Sequence, residues 1–264
     1  MAQLARIGAL VALLAASVCA KSAAPAPTVP GFRLKVIRVY PHDPGAFTQG
    51  LLFLDGKLYE STGLYGRSSI RRVDLASGQV EAGVRVPDDL FAEGLARVGD
   101  RLIQLTWKEG KALVWDLATL HKLSEFSYEG EGWGLCYDGR RLVMSDGSDR
   151  LIFRNPTTFA KEGEVLVRRA GSPVRNLNEL ECSDGIVYAN VWQDSHIARI
   201  DPASGVVTAW ISAAGLLDSS EAAGTDVLNG IAEMNTTGHL LVTGKLWPHV
   251  YEVEVVTNAK GDVR

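Results

Sequence analysis

Five residues that could take part in chemistry occupy the same place in five related segments of the chain. In each segment small or polar residues lead to Leu or Ile, and one position just ahead of this pattern changes from copy to copy. The residues at that position are Gln49, Glu93, Trp133, Asn178 and Asn229. A carboxyl group among amides and an indole could move protons as base and then as acid. Structural repeats tend to reuse one residue at equivalent positions, so the variation at this position indicates a functional site. The alternative is that these side chains only fill the centre of the fold with hydrogen bonds.

The spacing of these segments indicates the fold that must position them. Positions 49 and 229 are 180 residues apart, and four intervals give a mean of 45 residues, which is the length of one four-stranded propeller blade. Each repeat contains three short β-rich runs and a variable fourth, separated by Asp-Gly or Ser-Gly turns. The last repeat lacks its fourth strand, which the N-terminal run from Phe32 to Tyr40 could supply. We therefore predict an all-β fold, a five-bladed β-propeller closed by its N-terminal strand.

A second layer of residues is expected at one mouth of the central channel. Alignment of the repeats puts five positions at the ends of the second strands in register, namely Gly63, Trp107, Gly147, Trp192 and Lys245. A single tryptophan usually belongs to a core, but Trp107, Trp133 and Trp192 together predict a lined pocket that excludes water. Lys245 is a lone cation beside them, although a solvated lysine is the ordinary alternative.

The first residues have the pattern of an export signal. A short start with one positive charge precedes an apolar run of about a dozen residues, and Val18-Cys19-Ala20 offers small residues for cleavage. We predict a signal peptide at 1–20, a disordered Ala/Pro linker at 21–31 and one propeller domain at 32–264. Cleavage as late as Ala24 and acylation of Cys19 stay as alternatives. The protein is expected to be exported, periplasmic or extracellular, with no membrane contact after cleavage.

Charge, cysteines and histidines limit the other classes of function. The net charge of −4 provides no basic surface, so no nucleic-acid partner is expected. Cys136 and Cys182 remain after cleavage, and spacing does not decide whether they pair; we favour two buried free cysteines. The five histidines are scattered without the spacing of metal ligands, so no metal site is predicted.

Several motifs resemble one known family. The strings FTQGL, FAEGL, EGWGL, LNELE, NVW, LNGIA and TGKLWP are similar to those of the glutaminyl cyclases of the plant and bacterial type, and the resemblance extends from Phe32 to about Val256. It implies a five-bladed propeller that converts the N-terminal glutamine of peptides or proteins to pyroglutamate with release of ammonia. It also implies catalysis without a metal or other cofactor. We expect a monomer.

The resemblance assigns roles to residues of this chain. Glu93 matches the essential acid, and Gln49, Asn178 and Lys245 complete the predicted catalytic set. The predicted substrate-binding residues are Phe47, Phe91, Trp107, Trp133, Trp192 and Asn229. The division of work among Gln49, Asn178 and Lys245 stays open, because each could bind the substrate amide or the oxyanion.

Two other classes of protein remain as alternatives. A calcium-dependent lactonase-like propeller would use Glu93, Asn178 and Asn229 as oxygen ligands of a central ion. A non-catalytic propeller would bind an exported partner on its rim, but such a scaffold has no need for an acid among tryptophans.

Overall fold

The computed structural model describes residues 31–234 and 237–257, and within these ranges the chain forms twenty-two β-strands and no helix. No helix in this part of the chain could therefore span a membrane. The predicted signal peptide at 1–20, residues 21–30 of the predicted linker and residues 258–264 lie outside the described residues. Gly31, the last residue of the predicted linker, already belongs to the first strand, β1 (Gly31–Pro41). The prediction of an all-β fold is confirmed.

Three separate antiparallel sheets of four strands follow β1 in the sequence. The first contains β2 (Thr48–Leu54), β3 (Lys57–Thr62), β4 (Ser69–Asp74) and β5 (Val80–Arg85). The second contains β6 (Ala92–Val98), β7 (Arg101–Thr106), β8 (Lys111–Asp116) and β9 (Lys122–Ser127). The third contains β10 (Leu135–Tyr137), β11 (Leu142–Met144), β12 (Arg150–Arg154) and β13 (Lys161–Leu166). Each sheet corresponds to one sequence repeat.

The remaining long strands form one sheet of eight in the order β16-β17-β18-β19-β1-β22-β21-β20. Its strands besides β1 are β16 (Leu177–Ser183), β17 (Ile186–Val191), β18 (His196–Ile200), β19 (Val207–Ser212), β20 (Leu228–Met234), β21 (His239–Gly244) and β22 (His249–Thr257). A small hairpin of β14 (Arg168–Arg169) and β15 (Ser172–Pro173) precedes it. The sequence did not predict this hairpin.

The N-terminal strand joins the two halves of the eight-stranded sheet. β1 runs antiparallel to β22 from the pair Phe32 and Thr257 to the pair Pro41 and His249. It also pairs in parallel with β19 through Gly31 to Arg33. The predicted pairing of the N-terminal strand with the last repeat is therefore observed, and the parallel pairing with β19 is an addition.

Turn chemistry explains the hairpins that begin several sheets. Asp55-Gly56 connects β2 to β3, and Asp184-Gly185 connects β16 to β17. All four residues have positive φ angles, between 47° and 80°. Two consecutive residues of this kind form the tight turn whose twist matches that of the flanking strands, so the Asp-Gly signal read from the sequence is confirmed.

The first strands of the five repeats pack in a closed circuit, since β2 contacts β6, β6 contacts β10, β10 contacts β16, β16 contacts β20 and β20 contacts β2. Glycine permits this close approach. A Cβ atom on Gly94 would lie 2.5 Å from the backbone nitrogen of Leu135, and one on Gly134 would lie 2.0 Å from the carbonyl oxygen of Asn178. No side chain fits at such distances.

Glu179 occupies the place in the fourth repeat that glycine holds in the others. Its carboxylate accepts hydrogen bonds from the backbone nitrogens of Leu51, at 3.3 Å, and Ile231, at 2.9 Å. It therefore joins β16 to β2 and β20 across the centre of the circuit. The Glu179 side chain is buried.

The hydrophobic core lies between neighbouring sheets. One cluster brings Ile70 of β4 against Leu95 of β6 and Leu113 of β8, and all three are fully buried. Equivalent clusters lie between the other neighbours. The outermost strands β5, β9 and β13 are largely exposed. Because apolar burial drives packing between sheets, the centre of the circuit is left for polar residues.

The two cysteines form a disulfide bond, so the interpretation as free thiols is wrong. Cys136 of β10 and Cys182 of β16 have Cα atoms 5.4 Å apart, within the range that a disulfide spans. The bond links the first strands of consecutive repeats. Spacing in the sequence could not reveal this, because the separation of 46 residues becomes a contact only when the circuit closes.

Candidate active site

The first strands bring the variable residues of the repeats to the centre. Gln49 lies in β2, Glu93 in β6, Asn178 in β16 and Asn229 in β20. Trp133 differs from the prediction, since it lies two residues before β10 begins. Its carbonyl nevertheless accepts a hydrogen bond from Gly94, at 2.7 Å, which fixes it beside β6.

A repeated backbone hydrogen bond shows that the second layer has the predicted register. In four repeats the N–H of the second-layer residue donates to the carbonyl two positions before the variable residue. These pairs are Gly63 to Phe47, Trp107 to Phe91, Trp192 to Asn176 and Lys245 to Val227, at 2.8 to 3.0 Å. Gly147 of the third repeat lies directly against the Trp133 ring. The two layers therefore meet at one mouth of the circuit.

A cavity of about 620 Å³ opens at this mouth. Nine of the ten predicted site residues line it: Phe47, Gln49, Phe91, Glu93, Trp107, Trp133, Asn178, Trp192 and Lys245. Four further residues that the sequence did not single out complete the wall, namely Leu64, Gln193, Asp226 and Val227. The wall is mostly aromatic and apolar, with a few convergent polar groups, as is usual for small-molecule sites.

Asn229 is the predicted residue that does not line the cavity. It is fully buried behind Gln49, and its side-chain nitrogen donates to the carbonyl of Thr48, at 2.9 Å, and to Oε1 of Gln49, at 3.2 Å. In this geometry Asn229 orients Gln49 and does not face the space available to a ligand. Its predicted contact with substrate is replaced here by a supporting contact.

Glu93 is a carboxyl group held in a nearly dry place. Only 5% of the residue is exposed, and its Oε1 accepts a hydrogen bond from Nε2 of Gln49, at 3.0 Å. Burial raises the pKa of Glu93 well above its ordinary value; the Lys245 charge lowers it, and the Glu109 and Glu131 carboxylates raise it further. A raised pKa makes the neutral carboxyl group easier to form, which suits a group that must both accept and donate a proton.

Lys245 is the buried cation of the cavity. It is 5% exposed, and its Nζ lies 4.7 Å from the centroid of the Phe47 ring. Burial lowers the pKa of this ammonium group below its ordinary value, while the Glu93 and Asp226 carboxylates oppose that shift. A desolvated cation stabilises negative charge more strongly than a solvated one.

Asn178 has unused hydrogen-bonding capacity. Its side chain lines the cavity and is 2% exposed, yet Oδ1 has no hydrogen-bond partner among the described residues. Buried amide groups are rarely left without a partner. This oxygen is itself buried, and five other buried side-chain polar atoms of the described residues also lack a partner.

The aromatic side chains pack edge to face in two groups. Phe91 contacts Phe47, Tyr65 and Trp107, with ring centroids 6.3, 5.4 and 5.6 Å apart. Trp133 and Trp192 form the second group, at 5.9 Å. Trp192 is 37% exposed at the rim. Edge-to-face pairs favour fixed orientations of the rings, so the wall has a defined shape.

Two residues of the wall have an unusual backbone. Leu64 and Gln193 have φ angles of 87° and 65°, in the left-handed region that these side chains seldom adopt. Backbone strain of this kind is common at ligand sites. Neither position could be predicted from the sequence, because nothing in a Leu or a Gln indicates a positive φ angle.

Two acidic residues support the aromatic wall from outside. Oε1 of Glu109 accepts the Tyr65 hydroxyl, at 2.7 Å. Oε2 of Glu131 accepts the indole N–H groups of Trp107, at 2.7 Å, and Trp133, at 3.0 Å. The available signal for Glu131 was its place in the EGWGL string, two residues before Trp133.

A buried ion network supports the segment that carries Lys245. His42 contacts the Trp247 carbonyl through Nδ1, at 2.7 Å, and Glu60 through Nε2, at 3.1 Å. Burial would raise the pKa of Glu60, but Arg71, His42 and the hydroxyl of Thr48 outweigh it, so this pKa is lowered. The network holds the chain after Lys245 against the first sheet.

Within residues 31–234 and 237–257, no group of three or more His, Cys, Asp or Glu side chains is placed to hold a metal ion. The side-chain nitrogen of Asn229, one of the three residues considered for a calcium site, points at Thr48 and Gln49.

Comparisons with known proteins identify the family of this chain. A family model described as glutamine cyclotransferase matches residues 9–255. A glutaminyl-peptide cyclotransferase of Arabidopsis thaliana is 44% identical over 228 residues, which is 84% of this chain and 71% of that relative. The crystal structure of a Myxococcus xanthus glutaminyl cyclase, 42% identical, aligns with a TM-score of 0.79 over 88% of this chain and 100% of that one. The chain belongs to the glutamine cyclotransferase family.

Proposed function

We propose that this protein is a glutaminyl-peptide cyclotransferase, which converts an N-terminal glutamine to pyroglutamate and releases ammonia. Membership of the family supports the reaction. The observation that carries the assignment to this cavity is the buried carboxyl of Glu93, which faces the same space as Lys245 and Asn178. The substrate class follows, namely peptides or proteins with a free N-terminal glutamine.

The first step joins two parts of one substrate residue. The neutral α-amine attacks the carbon of the glutamine side-chain amide, and a C–N bond forms as the carbonyl π electrons move to oxygen. The new ring nitrogen is then positively charged and must lose a proton. In our proposal the Glu93 carboxylate takes that proton as general base. Gln49 holds this carboxylate through its hydrogen bond, at 3.0 Å.

The second step expels ammonia. Neutral Glu93 donates the same proton to the amide nitrogen, the carbonyl re-forms, and the bond between the carbon and that nitrogen breaks. One carboxyl group thus serves both steps and returns to its ionised form. A pKa raised by burial favours such a role, because it makes the Glu93 carboxylate a stronger base for the first proton transfer.

Charge that develops on the carbonyl oxygen needs a donor. We assign this role to the Lys245 ammonium, which is 5% exposed and lines the same cavity as Glu93. A preoriented donor in a site without bulk water can stabilise an oxyanion strongly. Asn178, whose side chain lines the same cavity, would bind the substrate amide and fix its orientation.

The aromatic wall would hold the substrate in a folded shape. Ring closure needs the amine close to the amide carbon, and this is chiefly a matter of orientation. The aromatic rings packed around Phe91 and the pair formed by Trp133 and Trp192 provide surfaces with fixed orientations. They also exclude water, which strengthens the interactions of Glu93 and Lys245.

The finer architecture belongs to the same proposal. We infer a five-bladed propeller, with three blades in the separate four-stranded sheets and two in the halves of the eight-stranded sheet. The closed circuit of β2, β6, β10, β16 and β20 supports this arrangement. The closing blade would combine β20, β21 and β22 with β1.

Export of a monomer is also proposed. The N-terminal sequence pattern supports export, and the bond between Cys136 and Cys182 fits an oxidising compartment. Fractionation of the native cells, with N-terminal sequencing of the mature chain, is expected to find the protein outside the cytoplasm and cleaved near Ala20. A full-length cytoplasmic protein would contradict this part.

The two alternative classes have no specific support. A calcium-dependent lactonase-like enzyme would need Asn229 as one oxygen ligand, but Asn229 lies behind Gln49 and does not line the cavity. A binding scaffold would have no use for a buried acid in a cavity lined by three tryptophans.

The reaction can be tested with a dipeptide amide that begins with glutamine. We expect the purified protein to release one ammonia per pyroglutamate formed and to retain this activity after dialysis against a chelator. The matched control is the same dipeptide with an acetylated α-amine, which cannot attack and should give no product. Ammonia from the acetylated peptide would indicate simple amide hydrolysis and would overturn the proposal.

A further inference from the structure

Glu131 connects two tryptophans of the wall through a single oxygen atom. Its Oε2 accepts the indole N–H of Trp107 at 2.7 Å and that of Trp133 at 3.0 Å. Trp107 follows β7, whereas Trp133 precedes β10, so the carboxylate joins neighbouring sheets. An indole has one N–H donor, and both donors are therefore used on the same acceptor.

These two tryptophans belong to different groups of the wall. Trp107 packs against Phe91, with ring centroids 5.6 Å apart, and Trp133 packs against Trp192, at 5.9 Å. The Glu131 carboxylate is thus the polar contact that ties the two aromatic groups together. Edge-to-face packing sets the rings within each group, and the Glu131 contact fixes the two groups relative to each other.

Lys108 holds Glu131 from the solvent side. Its Nζ lies 3.9 Å from Oε1 of Glu131 and 3.7 Å from the centroid of the Trp107 ring. The Glu131 side chain is 41% exposed, so it is accessible to replacement without opening the core. Its oxygen that faces solvent is not needed for the contacts with the indoles.

We propose that Glu131 is a positioning residue, which fixes Trp107 and Trp133 so that their rings bind the substrate glutamine in its reactive fold. The proposal rests on the proposed function of the cavity. It predicts that Glu131 acts mainly on substrate binding, through the indoles, and does not itself exchange protons with the substrate.

Two substitutions separate the hydrogen bonds from the charge. Glu131→Gln keeps an oxygen that can accept both indole N–H groups, whereas Glu131→Ala removes the acceptor. We expect Glu131→Ala to raise KM about tenfold or more, with a smaller change in kcat, as for a loss of uniform binding. Glu131→Gln should keep KM within about threefold of the original protein, since a neutral acceptor is only somewhat weaker.

A second readout follows from the negative charge, which both variants remove. The Glu131 carboxylate raises the pKa of Glu93, so the acidic limb of the kcat/KM profile should move to lower pH in both variants. The near-UV circular dichroism of the free protein should change in Glu131→Ala and stay the same in Glu131→Gln. The pH profile responds to the loss of charge in both variants, whereas the aromatic contacts respond only when the acceptor is lost, as in Glu131→Ala.

The matched control is Glu129→Ala, an exposed glutamate two residues away that does not line the cavity. It should leave KM and the circular dichroism unchanged. A Glu131→Ala protein that behaves like this control, or a Glu131→Gln protein no better than Glu131→Ala, would overturn the proposal. The dichroism of the free proteins tests Glu131 even if the original protein released no ammonia, which would instead reject the proposed function.

Discussion

Glu93 is buried and must also ionise in the proposed reaction, although burial of an ionised carboxylate costs free energy. Burial raises the pKa of its carboxyl group, and the Lys245 ammonium limits that rise. A hydrogen bond from Gln49, itself oriented by Asn229, fixes the oxygen that accepts it. The reactivity of the residue is therefore set by three neighbours that lie in different strands or loops.

Removal of the Lys245 charge should change the pH dependence in a defined direction. Lys245 lowers the pKa of Glu93, so Lys245→Met should raise that pKa. Glu93 must be ionised to act as base, and the acidic limb of the kcat/KM profile should therefore move to higher pH. The value of kcat should also fall about 100-fold or more, as for loss of an oxyanion donor.

The exposed Lys108 provides a comparison for this variant, since it contacts the Trp107 ring but does not line the cavity. The acidic limb of the kcat/KM profile should lie closer to that of the original protein in Lys108→Met than in Lys245→Met. An acidic limb that stays in place or moves to lower pH in Lys245→Met would contradict the assigned interaction between Lys245 and Glu93.

At the residue scale the repeats predicted most of the cavity. Aligned positions found Glu93, Asn178 and Lys245, because equivalent residues of a closed circuit must face its centre. The same reasoning placed Asn229 in the wall, but it cannot distinguish a residue that faces the cavity from one behind it. Glu131 was missed because its contacts depend on side-chain directions, which a repeat alignment does not contain.

At the scale of the strands, close packing around the centre determines which residues are possible. Gly94 and Gly134 bring consecutive inner strands into backbone contact, and Glu179 fills the fourth place with two hydrogen bonds to neighbouring strands. The inner strands also carry the site residues. A change in the packing of these strands should therefore also shift the site residues in the cavity.

Gly94→Ala tests this packing one residue away from Glu93. The added Cβ would lie 2.5 Å from the backbone nitrogen of Leu135, so β6 and β10 must separate. We expect the free energy of unfolding to fall by about 1–3 kcal/mol, and kcat to fall as Glu93 shifts. Chemical denaturation and the ammonia assay measure the two effects.

Gly163→Ala is the matched substitution on the outer strand β13. Its Cβ would make an ordinary contact of 3.8 Å with the Phe153 ring, and a lower unfolded-state entropy should leave stability unchanged or slightly higher. Equal effects of Gly94→Ala and Gly163→Ala would show that the inner strands are not closely packed.

The strands themselves were largely predictable. Asp184-Gly185 indicated a hairpin, and both residues have the positive φ angles that this turn requires. Trp133 was expected on a strand but precedes β10. The hairpin of β14 and β15 was not expected, since two-residue strands leave no periodic pattern in a sequence.

At the scale of the whole molecule, the N-terminal strand completes the fold. β1 pairs with β22 over most of its length and with β19 at its start, so it joins the first and last parts of the described chain. Without β1 the edge of β22 would be exposed, and exposed edges promote aggregation. The disulfide between Cys136 and Cys182 adds a second link between distant parts of the chain.

Chains that begin at different residues test this role of β1. A chain that begins at residue 31 should keep the melting temperature of the mature protein, because it retains all of β1. A chain that begins at residue 42 should melt at a clearly lower temperature and form aggregates. Indistinguishable melting curves for the two would contradict closure by β1.

Closure by the N-terminal strand could be predicted because a repeat with three strands leaves an open edge. The parallel contact with β19 and the disulfide could not, because both depend on how neighbouring repeats meet in space. A repeat length predicts the unit, and the packing between units appears only in the structure.

The kinetics of Glu93→Gln test the central claim most directly. The amide keeps the shape and the contact with Gln49 but cannot take up a proton at neutral pH, so kcat should fall by about 100- to 10,000-fold. Because burial disfavours the ionised carboxyl group, the melting temperature at pH 8 should be unchanged or higher. A Glu93→Gln protein that folds and cyclises glutamine peptides at near the original rate would contradict the account.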